Sequence, residues 1–166
     1  MKTTDKFLIG IVLGIVLLVV VAFAVAFFRP KPAYQSEDTP EAATHNYLLA
    51  LRQEDFKRAY GYLSPTMEGY PASVETFTKN IRDSSWSFRL NEQEVSLEVL
   101  SSRTIGERVI VTVRETRFNQ GGLFDSSESI DTFEIQLQRD LTSSSWKIVT
   151  AESYWAWCWT TYNSCR

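Results

Sequence analysis

The chain has 166 residues, of which 44% are hydrophobic and 22% are charged, and its formal net charge at pH 7 is -3. This composition fits one ordinary globular domain with an additional apolar segment. It argues against a nucleic-acid-binding protein, because such a protein carries a basic face.

An unbroken apolar run opens the chain. Residues 7–28 contain no charged or polar side chain, and a helix over them would be roughly 33 Å long, enough to cross a hydrocarbon core of about 30 Å. A cleaved signal peptide is the alternative, because Lys2 and Lys6 resemble its basic start and residues 24–26 resemble a cleavage site. We favour an uncleaved, single-pass transmembrane anchor with the rest of the chain on the extracytoplasmic side, an orientation that the positive-inside rule supports only slightly.

Two further features lie at this end of the chain. Gly10 and Gly14 have the GxxxG spacing that lets another helix pack closely, although the same spacing also arises by chance in apolar helices. Residues 29–38 contain two prolines and no apolar periodicity, which predicts a short, stiff linker. The predicted parts are an anchor (1–28), a linker (29–38) and a domain (39–166) that ends in a tryptophan-rich extension (154–166).

Capping residues predict three helices at the start of the domain. Thr39 followed by Pro40, Asp55, and Ser73 each precede apolar residues at helical spacing, and each residue type favours the N-cap position. The second helix is predicted to stop by Pro65.

Beyond Ser84 the apolar period changes to two, which is typical of strands. Strands are predicted at residues 86–90, 94–105, 107–118, 130–140 and 145–157. Helices first and antiparallel strands afterwards predict an α+β domain of about three helices packed on a curved antiparallel β-sheet.

The run TPEAATHNYLLALRQEDFKRAYGYLSP, followed by a helix and by long strands ending in SSWKIVTAE, resembles the nuclear transport factor 2-like superfamily, also called cystatin-like cone folds. The resemblance covers residues 39 to about 153 and is closest to bacterial membrane-anchored members. It implies a cone-shaped domain. Members include isomerases, dehydratases, small-ligand binders, transport factors and noncatalytic accessory domains, so the fold alone does not select a function.

The isomerases of this superfamily imply one candidate catalytic pair. Their chemistry needs a carboxylate in an apolar cavity and a phenol that donates to the developing enolate. Asp131 has the strand parity of Phe133, which would place it at the cavity mouth, and Tyr60 or a neighbouring helix tyrosine would supply the phenol. The alternative is a solvated Asp131 and tyrosines that only pack, and we favour a protein without catalytic activity.

Two charged residues lie near the end of the strand predicted at residues 107–118. Glu115 and Arg117 share the parity of Val113, and we expect the strand to have left the core and entered solvent there, because a buried pair is costly without full hydrogen bonding.

Few residues could hold a metal or a cofactor. His45 is the single histidine and is predicted to lie on a helix surface, so neither a metal nor another cofactor is expected. Cys158 and Cys165 could form a disulfide in an oxidising compartment, and two free thiols are the alternative.

Trp155, Trp157 and Trp159 stand at every second position, which predicts three indole rings on one side of the last strand. They could fill the open end of the cone, form an exposed ridge for a protein partner, or lie among lipid headgroups. Together with Leu123 and Phe124, at the tip of a long predicted hairpin, they are the candidate partner-binding residues.

The features together predict a membrane-anchored, noncatalytic accessory or assembly subunit that docks onto other subunits of a larger membrane complex. The lipid bilayer is the predicted partner of residues 7–28. The alternatives are binding of a small apolar ligand in the cone, or isomerase or dehydratase activity.

Overall fold

The computed structural model describes residues 3–28, 32–89, 95–121 and 125–160. The chain divides into two compact units, Met1–Ala33 and Tyr34–Arg166. The described residues of the second unit form four helices, a sheet and a short 3₁₀ helix.

The first unit contains helix α1, Thr3–Phe27. Among the residues that the structure describes, no helix is long and apolar enough to cross a membrane. The prediction of a single-pass transmembrane anchor is corrected on this finding. The membrane location and the role as a membrane-anchored accessory subunit depended on that anchor and are corrected with it.

Three helices of the second unit begin where their caps predicted. Helix α2 is Pro40–Arg52, α3 is Phe56–Gly61 and α4 is Val74–Asp83. The side chains of Thr39, Asp55 and Ser73 accept hydrogen bonds from the backbone N–H groups of Ala42, Arg58 and Thr76, at 3.1–3.2 Å. These bonds satisfy N–H groups that have no partner inside the helix. The three predicted N-caps are confirmed.

A fourth helix replaces the first predicted strand. Residues 86–90 were expected to be extended, but α5 occupies Ser85–Phe88. Phe88 is 1% exposed and packs edge-to-face on the Trp159 ring, with centroids 5.7 Å apart. The packing of Phe88 therefore overrides the alternating pattern of this short segment.

Four antiparallel strands form one sheet in the order β1-β2-β3-β4. The strands are β1, Val95–Ile105; β2, Arg108–Gly121; β3, Asp125–Arg139; and β4, Trp146–Ala151. The free edge of β4 is covered, because Ile148 donates its N–H to Tyr62 O and accepts from Ser64 N, both at 2.8 Å. Covering an edge removes unpaired backbone groups that could otherwise recruit another strand. The predicted α+β class with an antiparallel sheet is confirmed for this unit.

One face of the sheet forms the core with the helices. Its buried side chains alternate along the two long strands and include Val109, Val111, Val113, Phe133, Ile135 and Leu137. Helix α2 contacts β1, β2 and β4, and its Tyr47 is completely buried. The helices thus cover most of this face, and the end of the described chain covers the rest.

The last strand is shorter than predicted. A strand was expected to continue to residue 157, but β4 ends at Ala151 and the chain turns through Tyr154, whose φ is +57°. A 3₁₀ helix, Trp157–Trp159, follows. We name residues 154–160 the tail. Its path brings Trp155 and Trp159 into the core, whereas Trp157 remains 56% exposed.

Gly69 provides a test of how the tail is packed. It has a φ of +62°, and a Cβ at this position would lie 2.8 Å from the Cys158 carbonyl oxygen and 2.9 Å from Trp159 Cα. Gly106 has a φ of +60° but open space around it. Replacing either glycine by alanine places a Cβ on a left-handed backbone, which destabilises the fold by about 1–2 kcal/mol. At Gly69 the added Cβ would also clash with the tail.

We predict that Gly69→Ala lowers the free energy of unfolding by about 1–3 kcal/mol more than Gly106→Ala does, since overpacking adds that much. Urea unfolding followed by tryptophan fluorescence measures both variants. Equal losses would contradict the close packing of the tail on Gly69.

Candidate functional site

A fully buried carboxylate lies at the far end of the core-facing side of β2. Glu115 continues the inward series of Val111 and Val113, and it is 1% exposed. Two guanidinium groups approach its Oε1 atom, with Arg89 Nε at 3.0 Å and Arg117 Nε at 3.2 Å. The expectation that Glu115 and Arg117 lie in solvent is wrong, because the carboxylate has paired cations that compensate for its burial.

The fold brings these side chains together from three elements. Arg89 directly follows α5 and has a φ of +48°. Arg117 lies two residues beyond Glu115 on the same side of β2. Asp131 stands directly opposite Glu115 on β3, and its carboxylate pairs with Arg117 Nη2.

The tail contributes the fifth member. Tyr154 is 2% exposed, its hydroxyl is hydrogen-bonded to Glu115, and its ring lies 5.4 Å from the Phe133 ring. Burial, followed by the nearby Glu115 charge, raises the pKa of the Tyr154 hydroxyl, so the group stays protonated and acts as a donor. We name Arg89, Glu115, Arg117, Asp131 and Tyr154 the arginine–glutamate centre.

Electrostatic attraction dominates the centre. The Nε–H groups of Arg89 and Arg117 are close to Glu115 Oε1 without the alignment of a hydrogen bond. The side chains of both arginines keep some exposure, 24% and 30%, although both Nε atoms are buried. Glu115 is held by cations on one oxygen and bonded to a tyrosine, an arrangement suited to orienting the arginines rather than to taking a proton from a substrate.

The candidate catalytic residues have separate partners. The Tyr60 hydroxyl donates to Pro71 O at 2.9 Å, and its ring packs against Tyr70 and Phe77 with centroids 5.3 and 5.6 Å apart. The Asp131 side chain is 56% exposed and pairs with Arg117. No described contact joins Tyr60 to Asp131.

The candidate partner-binding residues are placed differently from one another. Trp155 and Trp159 are 5% and 1% exposed, and Trp159 stacks on Phe77 with centroids 5.2 Å apart and an interplanar angle of 10°. Trp157 alone presents its side chain to solvent. Leu123 and Phe124 lie outside the described residues, and their predicted role stays a prediction.

The remaining predicted features are only partly described. Gly10 and Gly14 lie on α1, and their predicted role in helix packing stays a prediction. Cys158 takes part in a disulfide, while Cys165 lies outside the described residues. His45 is partly buried on α2, and the described residues contain no group of three or more potential metal ligands.

Comparison with known proteins bears on the fold. No protein-family profile matches the chain, and no curated protein does. A SEC-C motif containing protein from Rhodopseudomonas palustris aligns at 20% identity over 72% of this chain and 81% of its own, with a TM-score of 0.45.

Two further solved structures are similar to a comparable degree, both at 14% identity over 66% of this chain. A candidate ketosteroid isomerase from Shewanella frigidimarina is covered over 89% of its length with a TM-score of 0.45. A candidate dehydratase of the nuclear transport factor 2-like family from Streptomyces avermitilis is covered over 88% with a TM-score of 0.41. A protein of the nuclear transport factor 2-like family is thus among the solved structures that are similar to this chain in fold. An enzymatic role is possible for a chain of this fold, and these weak similarities give no argument for one.

Sequence reasoning missed Arg89 and Tyr154 and misplaced Glu115. One signal was available: Glu115 has the same parity as three buried valines of its strand, so an inward carboxylate was one of two possible outcomes. The positions of Arg89 and Tyr154 depend on turns with positive φ, and neither residue is of a type that favours that conformation.

We predict that Glu115→Gln lowers the free energy of unfolding by about 2–3 kcal/mol. Removing one partner of a fully buried pair costs about 3–5 kcal/mol, and the partial exposure of both arginines reduces that cost. Glu98→Gln is the matched control, since Glu98 is 63% exposed and pairs with Arg114 at 3.3 Å on the surface. Its expected loss is below about 0.5 kcal/mol. Equal urea midpoints for the two variants would show that Glu115 is not held as a buried ion.

Proposed function

We propose that the protein binds a small organic acid at the arginine–glutamate centre and does not transform it. One observation carries the proposal: Arg89 and Arg117 both meet the same oxygen of a fully buried carboxylate, at 3.0 and 3.2 Å. Replacing a buried ion pair by apolar residues is often neutral or stabilising, so core stability alone is a weak reason to keep these charges. Orienting two guanidinium groups towards a ligand is a better one.

Arginine suits this role because its planar guanidinium matches the geometry of a carboxylate with two parallel N–H donors. Glu115 restricts both side chains, and restriction before binding lowers the entropy lost when the ligand arrives. The partial exposure of Arg89 and Arg117 supports access from solvent.

Asp131 pairs with Arg117 in the way that we propose for a ligand carboxylate. Its carboxylate pairs with Arg117 Nη2, while 56% of its side chain is exposed. An exposed ion pair is worth about 0–1 kcal/mol, so an incoming carboxylate can displace Asp131 at little cost. Asp131 therefore acts as an internal competitor of the ligand.

The partners of the acidic groups support binding without catalysis. Glu115 is occupied by two cations and a tyrosine, Asp131 is paired, and the Tyr60 hydroxyl is committed to Pro71 O. A general base must come within hydrogen-bond reach of the proton that it removes, and these described groups already have other partners.

We predict that Asp131→Asn increases the affinity for a small carboxylate by up to about fivefold, which corresponds to the roughly 1 kcal/mol of an exposed pair. Arg117→Lys should weaken binding about tenfold or more, because lysine keeps the charge but lacks the fork. Calorimetric titration with benzoate and with succinate measures both effects.

The control is Arg103→Lys, which alters an arginine paired with Glu134 at 2.7 Å elsewhere on the sheet and should leave the affinity unchanged. Urea unfolding of each variant shows whether it is folded. Benzoate and succinate affinities that respond equally to Arg117→Lys and Arg103→Lys would reject the proposed site, as would a lack of saturable binding by either acid.

A further inference from the structure

A cleft lies between the segment before α2, helix α3 and the start of β4. Its volume is about 310 Å³, at the small end of the roughly 300–1,000 Å³ of ligand sites. Its main lining residues are Glu37, Lys57, Arg58, Tyr62, Trp146 and Lys147. It shares no residue with the arginine–glutamate centre, so its chemistry can be considered independently.

Positive charge predominates in the cleft. Three cationic side chains, Lys57, Arg58 and Lys147, line it together with one carboxylate, Glu37. The whole chain has a net charge of -3, so this local excess of positive charge is opposite to the average. A cleft lined by one sign of charge attracts ligands of the other sign.

Arg58 is held in place before any ligand binds. Its guanidinium lies over the Tyr34 ring, 3.5 Å from the centroid, and its Nη2 is 3.3 Å from Glu37 Oε1. The Tyr62 hydroxyl donates to the same Glu37 oxygen at 2.5 Å. Glu37 is therefore used to fix Arg58 and Tyr62, and a fixed arginine loses less entropy when it binds an anion.

The two lysines retain capacity for a ligand. Lys147 donates from Nζ to Gly61 O at 2.5 Å, and an ammonium group has three donors. Lys147 also lies close enough to Asp140 to help lower the pKa of that carboxyl, after hydrogen bonds from Thr142 and Ser143. Neither lysine forms an ion pair with a carboxylate in the described part of the chain.

Aromatic walls complete the cleft. Tyr62 is 5% exposed, and Trp146 is partly buried, with its Nε1–H donating to Asp38 O at 3.3 Å. The two rings offer apolar surface beside the cations. A ligand that combines an anionic group with a small organic group matches both parts of the lining.

We infer that this cleft binds a small phosphate monoester. The three cations outnumber the one carboxylate of the lining, and this excess of positive charge suits the doubly charged phosphate group. Lysine ammonium groups bind phosphate as point charges, and the arginine fork binds two of its oxygens. The organic group of the ester would lie against Trp146. The inference stands independently of the proposed binding of organic acids at the arginine–glutamate centre.

Calorimetric titration of the protein with phenyl phosphate tests the inference. We expect saturable binding that weakens with added salt, because exposed charges are screened. The variant with Lys57→Gln and Lys147→Gln should bind at least about tenfold more weakly, since a hydrogen bond to a charged group commonly contributes that much. Lys57→Gln alone, at an exposed position, should show part of the loss if the double variant is unstable.

Lys79→Gln is the matched control. Lys79 is 68% exposed and pairs with Asp83 on α4, and its replacement should leave the phenyl phosphate affinity unchanged. Arg103→Lys should also leave it unchanged, because Arg103 pairs with Glu134 at 2.7 Å and does not line the cleft. Absence of saturable binding, equal affinities of the parent and the lysine variants, or binding of phenol as tight as that of phenyl phosphate would each overturn the inference.

Discussion

The burial of Trp159 near the end of the chain is the constraint on which the rest of the domain depends. Its ring is 1% exposed and contacts Phe77, Phe88 and Trp155. Its Nε1–H donates to Asn80 Oδ1 at 3.3 Å, so a polar atom that would be costly to bury alone has a partner. The helices and the sheet leave part of the core uncovered, and this ring fills it.

Reaching that position forces the chain to leave the sheet early and to turn at Tyr154. The turn is stabilised from outside the tail, because the Tyr47 hydroxyl donates to Tyr154 O at 2.8 Å. The same turn brings the Tyr154 hydroxyl to Glu115. The position of Trp159 in the core and the position of Tyr154 in the arginine–glutamate centre therefore depend on the same turn. A change that displaces Trp159 is expected to displace the Tyr154 hydroxyl from Glu115 as well.

Local signals predicted the parts of the fold that local chemistry determines. Thr39, Asp55 and Ser73 cap their helices because a short polar side chain can reach a free N–H in the first turn, wherever the helix later packs. The long strands β2 and β3 were equally evident from alternation over many residues. Residues 86–90 lack that length, and a segment so short takes the conformation that its tertiary contacts require. The apolar composition of residues 7–28 predicted a membrane span that the described helix α1 does not provide.

The arginine–glutamate centre could not be predicted from secondary-structure signals, because its formation depends on how charged side chains are paired. Strand parity placed Glu115 on the inward side, but whether an inward carboxylate is buried depends on whether cations reach it. Arg117 is near in sequence, whereas Arg89 comes from the end of α5 and Tyr154 from the tail. Burial of an ion costs several kcal/mol unless such partners are present, so the same sequence pattern describes a solvated strand end or a buried centre. The packing of the tail favours the buried centre, because the tail supplies the tyrosine that is bonded to Glu115.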